Sequence, residues 1–336
     1  MTVANSPTLN TTLHTGARHA WLGLDLTGLG VAEDLLGVSE DLPVEKADLA
    51  RLASYTRAAH GAGIGLVTLG AEFRLRSDRA VRDGRLDPVS AARRIAPHAS
   101  AGLVAEVSGR GAVATAEAEL AQAHPSPGTW HALHLSLTEA ARLASSVRPD
   151  RRRTRVVVSV SALSEAAAAG AFADIVRIRQ SDLEQARELR LAVRAAARTA
   201  GREGAVTVLA DLHLVVASER ESAIERAGLV AEIAGGSVTP WEGALSAHGT
   251  PYDVADLIEH WLAVGAADGF VVIPGSVPAD VAGLIRAVVP ELQVRGVLAK
   301  QSVAAPAGQH PAPRVPAPQP SVGAPARALA GAAVPA

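Results

Sequence analysis

From about residue 20 to residue 296, short apolar or β-branched runs alternate with longer segments whose apolar positions recur every three or four residues. The short runs read as strands buried on both faces, and the longer segments as helices that cover them. That is the pattern of repeated βα units on a parallel sheet. Eight runs qualify: 20–26, 64–69, 102–107, 131–135, 156–160, 174–178, 206–215 and 270–273. Helix starts punctuate them. Pro43 opens 44–60, Asp87-Pro88 opens the next helix, and Ser181 caps 182–199 with Glu184 in capping-box position. After Thr250-Pro251, one face carries Val254, Leu257, Ile258, Trp261 and Leu262 and must pack on a sheet. Eight such units close most simply into a (β/α)8 TIM barrel, with an open doubly wound sheet as the alternative, and a barrel places its chemistry at the carboxyl ends of its strands.

The two ends differ in kind. Residues 1–19 are rich in Thr, Ser and Asn without periodicity, and 301–336 are almost wholly Ala, Pro, Gly and Val with scattered polar residues. Both read as disordered segments flanking a barrel over 20–300, because they cannot bury enough surface to offset the entropy of ordering.

Composition then narrows the function. A formal net charge of −2 with both signs interspersed gives no reason to expect nucleic acid as partner. No run reaches the length of a membrane span, and the first twenty residues lack the basic start and apolar stretch of a secretory signal, which makes the cytoplasm the expected compartment. The absence of Cys removes disulfides, thiolate nucleophiles and Cys-ligated metal, and no metal site is expected. Lys occurs only at 46 and 300, which leaves Schiff-base chemistry without support. A small-molecule substrate is the expected partner.

The run Gly249-Thr250-Pro251-Tyr252-Asp253-Val254-Ala255-Asp256, followed by Gly265-Ala266-Ala267-Asp268-Gly269-Phe270, Val288-Val289-Pro290-Glu291-Leu292 and Arg295-Gly296, resembles the bacterial-luciferase-like flavin-dependent monooxygenases. It is most similar to the branch of nitrilotriacetate and dibenzothiophene-sulfone monooxygenases. The resemblance implies a luciferase-like (β/α)8 barrel, reduced FMN supplied by a separate reductase, attack of dioxygen on a small organic substrate, and a homodimer. It also implies site residues: Glu72 after the second strand, Ser108 after the third, His131 and His134 as catalytic candidates on the fourth, and Ser159, Ser161 and Ser164 at the flavin phosphate after the fifth.

Several positions depart from that pattern. The loop after the fifth strand, Ser159-Val160-Ser161-Ala162-Leu163-Ser164-Glu165, lacks the glycines that let backbone amides approach a phosphate, and brings a carboxylate instead. Only residues 137–155 separate strands four and five, a shortened insertion where the family carries a long cover. A divergent, non-catalytic barrel that binds flavin or another ligand, or pairs with a partner subunit, is therefore the competing reading. Alternation places His131 and His134 on opposite strand faces, so they need not share a site. His213 reads as a hydrogen-bonded core residue, His248 as a solvated loop residue with approach to the barrel mouth as the alternative, and the arginines of 148–155 as a solvated turn at the amino end.

Overall fold

The computed structural model describes residues 19–29, 49–76, 85–109, 111–145, 154–235 and 239–299. All eight expected runs are strands of one parallel sheet: β1 (Trp21–Asp25), β2 (Leu66–Leu69), β3 (Gly102–Glu106), β4 (Trp130–Leu135), β5 (Thr154–Val160), β6 (Ile175–Ile178), β7 (Thr207–Val216) and, after a ninth strand taken up below, β9 (Gly269–Pro274). Neighbours in the chain pair from β1 through β7, β7 pairs with β9, and β9 returns to β1. The sheet is therefore a closed TIM barrel, and the open alternative is excluded.

The helices lie outside: α1 (Leu49–Ala62), α2 (Pro88–Ile95), α3 (Ala112–Leu120), α4 (Leu137–Ser145), α5 (Ala166–Phe172), α6 (Leu183–Thr199), α7 (Arg220–Ile233), α8 (Pro251–Ala263), α9 (Val277–Gly283) and α10 (Val289–Val294). A π-helical turn, Leu284–Val288, joins the last two. Outward strand residues such as Leu24, Val67, Leu103, Leu133, Val158 and Val208 meet these helices in the main core. Each such side chain stabilises by about 1.5–3 kcal/mol relative to exposure.

The inward residues at the amino-terminal end form a second, separate cluster: Leu66, Val104, Ala132, Val157, Ile175, Leu209 and Val271, with Trp21 and Trp130 packed on it. This is an apolar floor to the barrel. Gly102 is required there, since a Cβ at that position would lie 2.2 Å from the Trp130 ring. Arg155 stacks its guanidinium over the same ring, 4.2 Å from the centroid, so this arginine belongs to the floor and not to a solvated turn.

The stretch 249–296 does scaffold work. Thr250 and Asp253 form a reciprocal capping box at the start of α8. Asp268 accepts from Arg190, Arg194 and the Val208 amide, tying α6 and β7 to the start of β9. Asp280, fully buried, accepts from the amides of Val216 and Ser276 and from Arg226, which fixes the carboxyl ends of β7 and β9.

Three details differ from the pattern reading. Asp182, not Ser181, caps α6, because its carboxylate reaches the Gln185 amide. An extra strand, β8 (Leu245–Gly249), pairs with the carboxyl half of β7 above the end of β6. Its sequence, LSAHG, is too short and too polar to stand out as a strand. The Pro43 helix start, the segment 1–18 and the tail from 300 onward lie outside the described residues. From β4 to β5 the chain passes only through α4 and the residues up to Thr154.

Candidate active site at the carboxyl end of the barrel

Along the inward faces of β2 to β7 the side chains change from apolar to polar in the same direction, whereas that of β9 ends in Ile273. Leu66 gives way to Thr68, Val104 to Glu106, Ala132 to His134, Val157 to Ser159, Ile175 to Arg177, and Leu209 to Asp211 and then His213. On β1 the sequence is Trp21, Gly23, Asp25. The polar groups thus share one layer at the carboxyl end, where a barrel presents its loops.

Arg177 stands at the centre of that layer. Its Nε donates to Asp211 Oδ1 at 2.7 Å, and its Nη2 lies 3.8 Å from Asp25 Oδ2. Asp25 in turn accepts from Thr68 Oγ1 at 2.7 Å and from the Thr27 amide at 2.9 Å. Burial opposes the charge of Arg177, but the Asp211 and Asp25 carboxylates outweigh it and hold the guanidinium above its ordinary value. A pair this deep costs much desolvation, so it is a device for fixing geometry more than a source of net stability.

Beside it, on the adjacent strands β3, β4 and β5, a second group opens toward solvent. His134 Nε2 and Ser159 Oγ are 2.9 Å apart, and His134 Nδ1 is 3.5 Å from Glu106 Oε2. Glu106 also accepts from the Ala71 amide at 3.2 Å. The imidazole of His134, against the pull of burial and with help from that amide and Arg177, holds the Glu106 carboxyl below its ordinary value. Ser159 is the exposed position in an otherwise buried strand end, and the His134 side chain keeps 13% of its surface.

Two more histidines face this layer with a buried Nε2 lacking a hydrogen-bond partner: His213 on β7 and His248 on β8. His213 is not the hydrogen-bonded core residue expected from its apolar surroundings; burial pushes its pKa down to about 4. His248 is likewise not in a solvated loop: its ring meets the edge of Trp241 with centroids 4.5 Å apart.

The residues expected from sequence are only partly brought together. His134 and Ser159 are in contact. His131 is on the opposite face of β4, buried under the helices with its Nε2 unpartnered and its pKa lowered by desolvation. Ser108 lines a cavity of about 620 Å3 at the carboxyl end of β3, between the start of α2 and α3, together with Ala71, Arg74, Glu106 and Thr115. Glu72 is exposed and does not line it; the carboxylates that do are Asp87, Glu106 and Glu119. Ser161 and Ser164 are exposed in the loop after β5. There Glu165 Oε2 already accepts from the amides of Ser161 (2.7 Å) and Ala162 (3.0 Å). Asp25, Thr68, Glu106 and Asp211 are not among the residues expected from sequence, while Arg177 lies at a strand end where a barrel presents its chemistry. Among the described residues no cluster of His, Asp and Glu could hold a metal ion, and no helix is long and apolar enough to cross a membrane.

No family model matches the chain. A segment of 55 residues is 44% identical to nitrilotriacetate monooxygenase component A of Aminobacter aminovorans, a match spanning 16% of this chain and 12% of that protein. Among solved structures, the EDTA monooxygenase EmoA from Chelativorans sp. BNC1 superposes with a TM-score of 0.57 at 15% identity, over 84% of this chain and 95% of that one. Riboflavin lyase RcaE, solved with modified FMN and riboflavin, gives 0.62 at 16% identity, over 86% and 94%. The chain has the luciferase-like barrel fold, as the 249–296 resemblance implied.

Proposed function

We propose that this chain is a flavin-dependent oxidoreductase of the luciferase-like kind: a cytoplasmic, homodimeric monooxygenase that takes reduced FMN from a separate reductase and acts with dioxygen on a small organic substrate. The observation that carries the reading is the open cavity lined by Glu106 and Ser108 at the carboxyl end of β3, set on a fold shared with flavin-handling barrels. A cavity of about 620 Å3 lies within the range that holds ligands of this size. Ser108 would offer a hydroxyl donor and Arg74 a cation to a flavin there, alongside the carboxylates Asp87, Glu106 and Glu119.

Bound flavin supplies the activation of dioxygen. The chain's own part is to bind, orient and manage protons. The apolar floor under the polar layer keeps water from entering from below. His134 holds or moves a proton at Nε2, with Glu106 beside Nδ1. Titration of the protein with oxidised FMN, reduced FMN and riboflavin, followed by flavin fluorescence and absorbance, should give a micromolar dissociation constant for at least one form. Lack of binding by all three would overturn the proposal.

A second reading is favoured by one observation. Glu165 occupies the two amides that a phosphate loop would offer after β5, so the loop is closed to an anion. A barrel that binds a ligand or partner subunit without oxygenation would need no such seat. Flavin-dependent oxygen uptake with any substrate would exclude that reading.

A further inference from the structure

The contact chain Glu106, His134, Ser159 is the arrangement of a nucleophilic serine, and nothing in the oxygenase reading uses the Ser159 hydroxyl in that way. A carboxylate only accepts hydrogen bonds, so the Glu106 contact is favourable when His134 carries its proton on Nδ1. Nε2 then has a free lone pair, and at 2.9 Å it accepts the Ser159 hydroxyl. All three side chains come from the carboxyl ends of adjacent strands, where rigid backbone holds them in register: Glu106 sits opposite His134, and Ser159 lies two residues beyond the partner of His134 on β5. The hydroxyl is exposed, while the residues on either side of it, Val158 and Val160, are buried. Across the next strand pairing, Ser159 is opposite Arg177, whose guanidinium is already paired with Asp211 and Asp25.

We propose that Ser159 is an acyl-transfer nucleophile activated by His134 and Glu106, giving this barrel a flavin-independent esterase activity on short, uncharged or cationic esters. The charge preference follows from three carboxylates, Asp25, Glu106 and Asp211, facing one guanidinium. In the first half of the reaction, Ser159 Oγ bonds to the ester carbonyl carbon while its proton passes to His134 Nε2. The bond to the alcohol oxygen breaks as Nε2 returns that proton to it. Water then attacks the acyl-serine, gives its proton to Nε2, and the acid leaves as Ser159 Oγ takes the proton back. No oxidant or reductant enters.

The test uses the full chain without flavin, so its outcome is separate from that of flavin binding. Diisopropyl fluorophosphate is the covalent probe, with the labelled residue located by peptide mass spectrometry, and p-nitrophenyl acetate is the turnover probe. The expected result is stoichiometric labelling at Ser159, abolished in Ser159→Ala and slowed by roughly 10²-fold in His134→Gln. Glu106→Gln slows it less, and Ser54→Ala, on the exposed side of α1, leaves it unchanged. Because His134→Gln could unfold the barrel, the pH dependence of wild-type labelling is the second readout: the rate should rise with deprotonation of one imidazole and then level off. No label at Ser159, a labelling rate indifferent to His134→Gln in a folded variant, or a rate that rises in simple proportion to hydroxide would each overturn the proposal.

Discussion

The two ends of the barrel interior are built from the same strands and obey opposite rules. At the amino end, Leu66, Val104, Val157, Ile175 and Leu209 close against Trp21 and Trp130, and Arg155 sits over the Trp130 indole. Two residues further along each strand, the interior holds Asp25, Thr68, Glu106, His134, Ser159, Arg177 and Asp211, almost all tied to one another. The floor is held by close packing, which needs volume and little directional precision. The mouth is held by charge and hydrogen bonds, which need each partner in place. Stability therefore belongs mainly to one end, and chemistry to the other.

The sharpest way to break the contrast is Arg177→Met. It leaves Asp25 and Asp211 as unpaired buried carboxylates, and the expected loss is about 3–5 kcal/mol in urea unfolding. Adding Asp211→Asn should restore part of that loss, because one of the two stranded charges is removed. If the single variant costs nothing, the layer is hydrated in solution and the geometry argued for it fails.

At the floor, Leu66→Ala removes a side chain with 1% of its surface exposed and should cost about 2–4 kcal/mol while leaving ligand and probe reactions at the mouth unchanged. A floor variant that alters Ser159 labelling while the protein stays folded would show that the two ends are coupled, contrary to the separation drawn above.

The smallest expected effect concerns pH. His213 is neutral in the fold, with a pKa of about 4 against an ordinary 6.5. Above 6.5 both folded and unfolded chains hold it neutral, and its contribution is complete. As the pH falls from 6.5 toward 4 the unfolded chain takes up the proton first, so stability declines by about 2 kcal/mol at pH 5. His131 shifts in the same direction. The lowered Glu106 acts in a lower window, since its contribution is intact above 4.5 and is lost as the pH falls below that. Unfolding midpoints compared at pH 7.5 and 5 should show the decline, and His213→Asn should reduce it. A wild-type curve flat across this window would mean that His213 is hydrated.

Much of the frame was legible along the chain. The eight strand runs, the Asp87 and Thr250 helix starts and the 249–296 stretch all reflect forces acting over one strand or one helical turn: burial on both faces, capping, and the 3.6-residue period. The candidate site was legible only at His134, Ser159 and Ser108. His131 stands three residues from His134 and ended under the helices, because one added residue reverses the face of a strand. Glu72 looked like the carboxylate after the second strand, while Glu106, on the next strand, faces the cavity.

By itself, then, the sequence determined which segments would be strands and helices. Only closure of the barrel decided which polar residues meet. Arg177 and Asp211 are 34 positions apart, and His134 and Ser159 are 25 apart. Their contacts depend on the register of neighbouring strands and on which strands become neighbours, and no local property of the chain encodes either. The same closure left the Ser159 hydroxyl facing an imidazole, whereas Glu165 reaches the amides of its own loop within four residues.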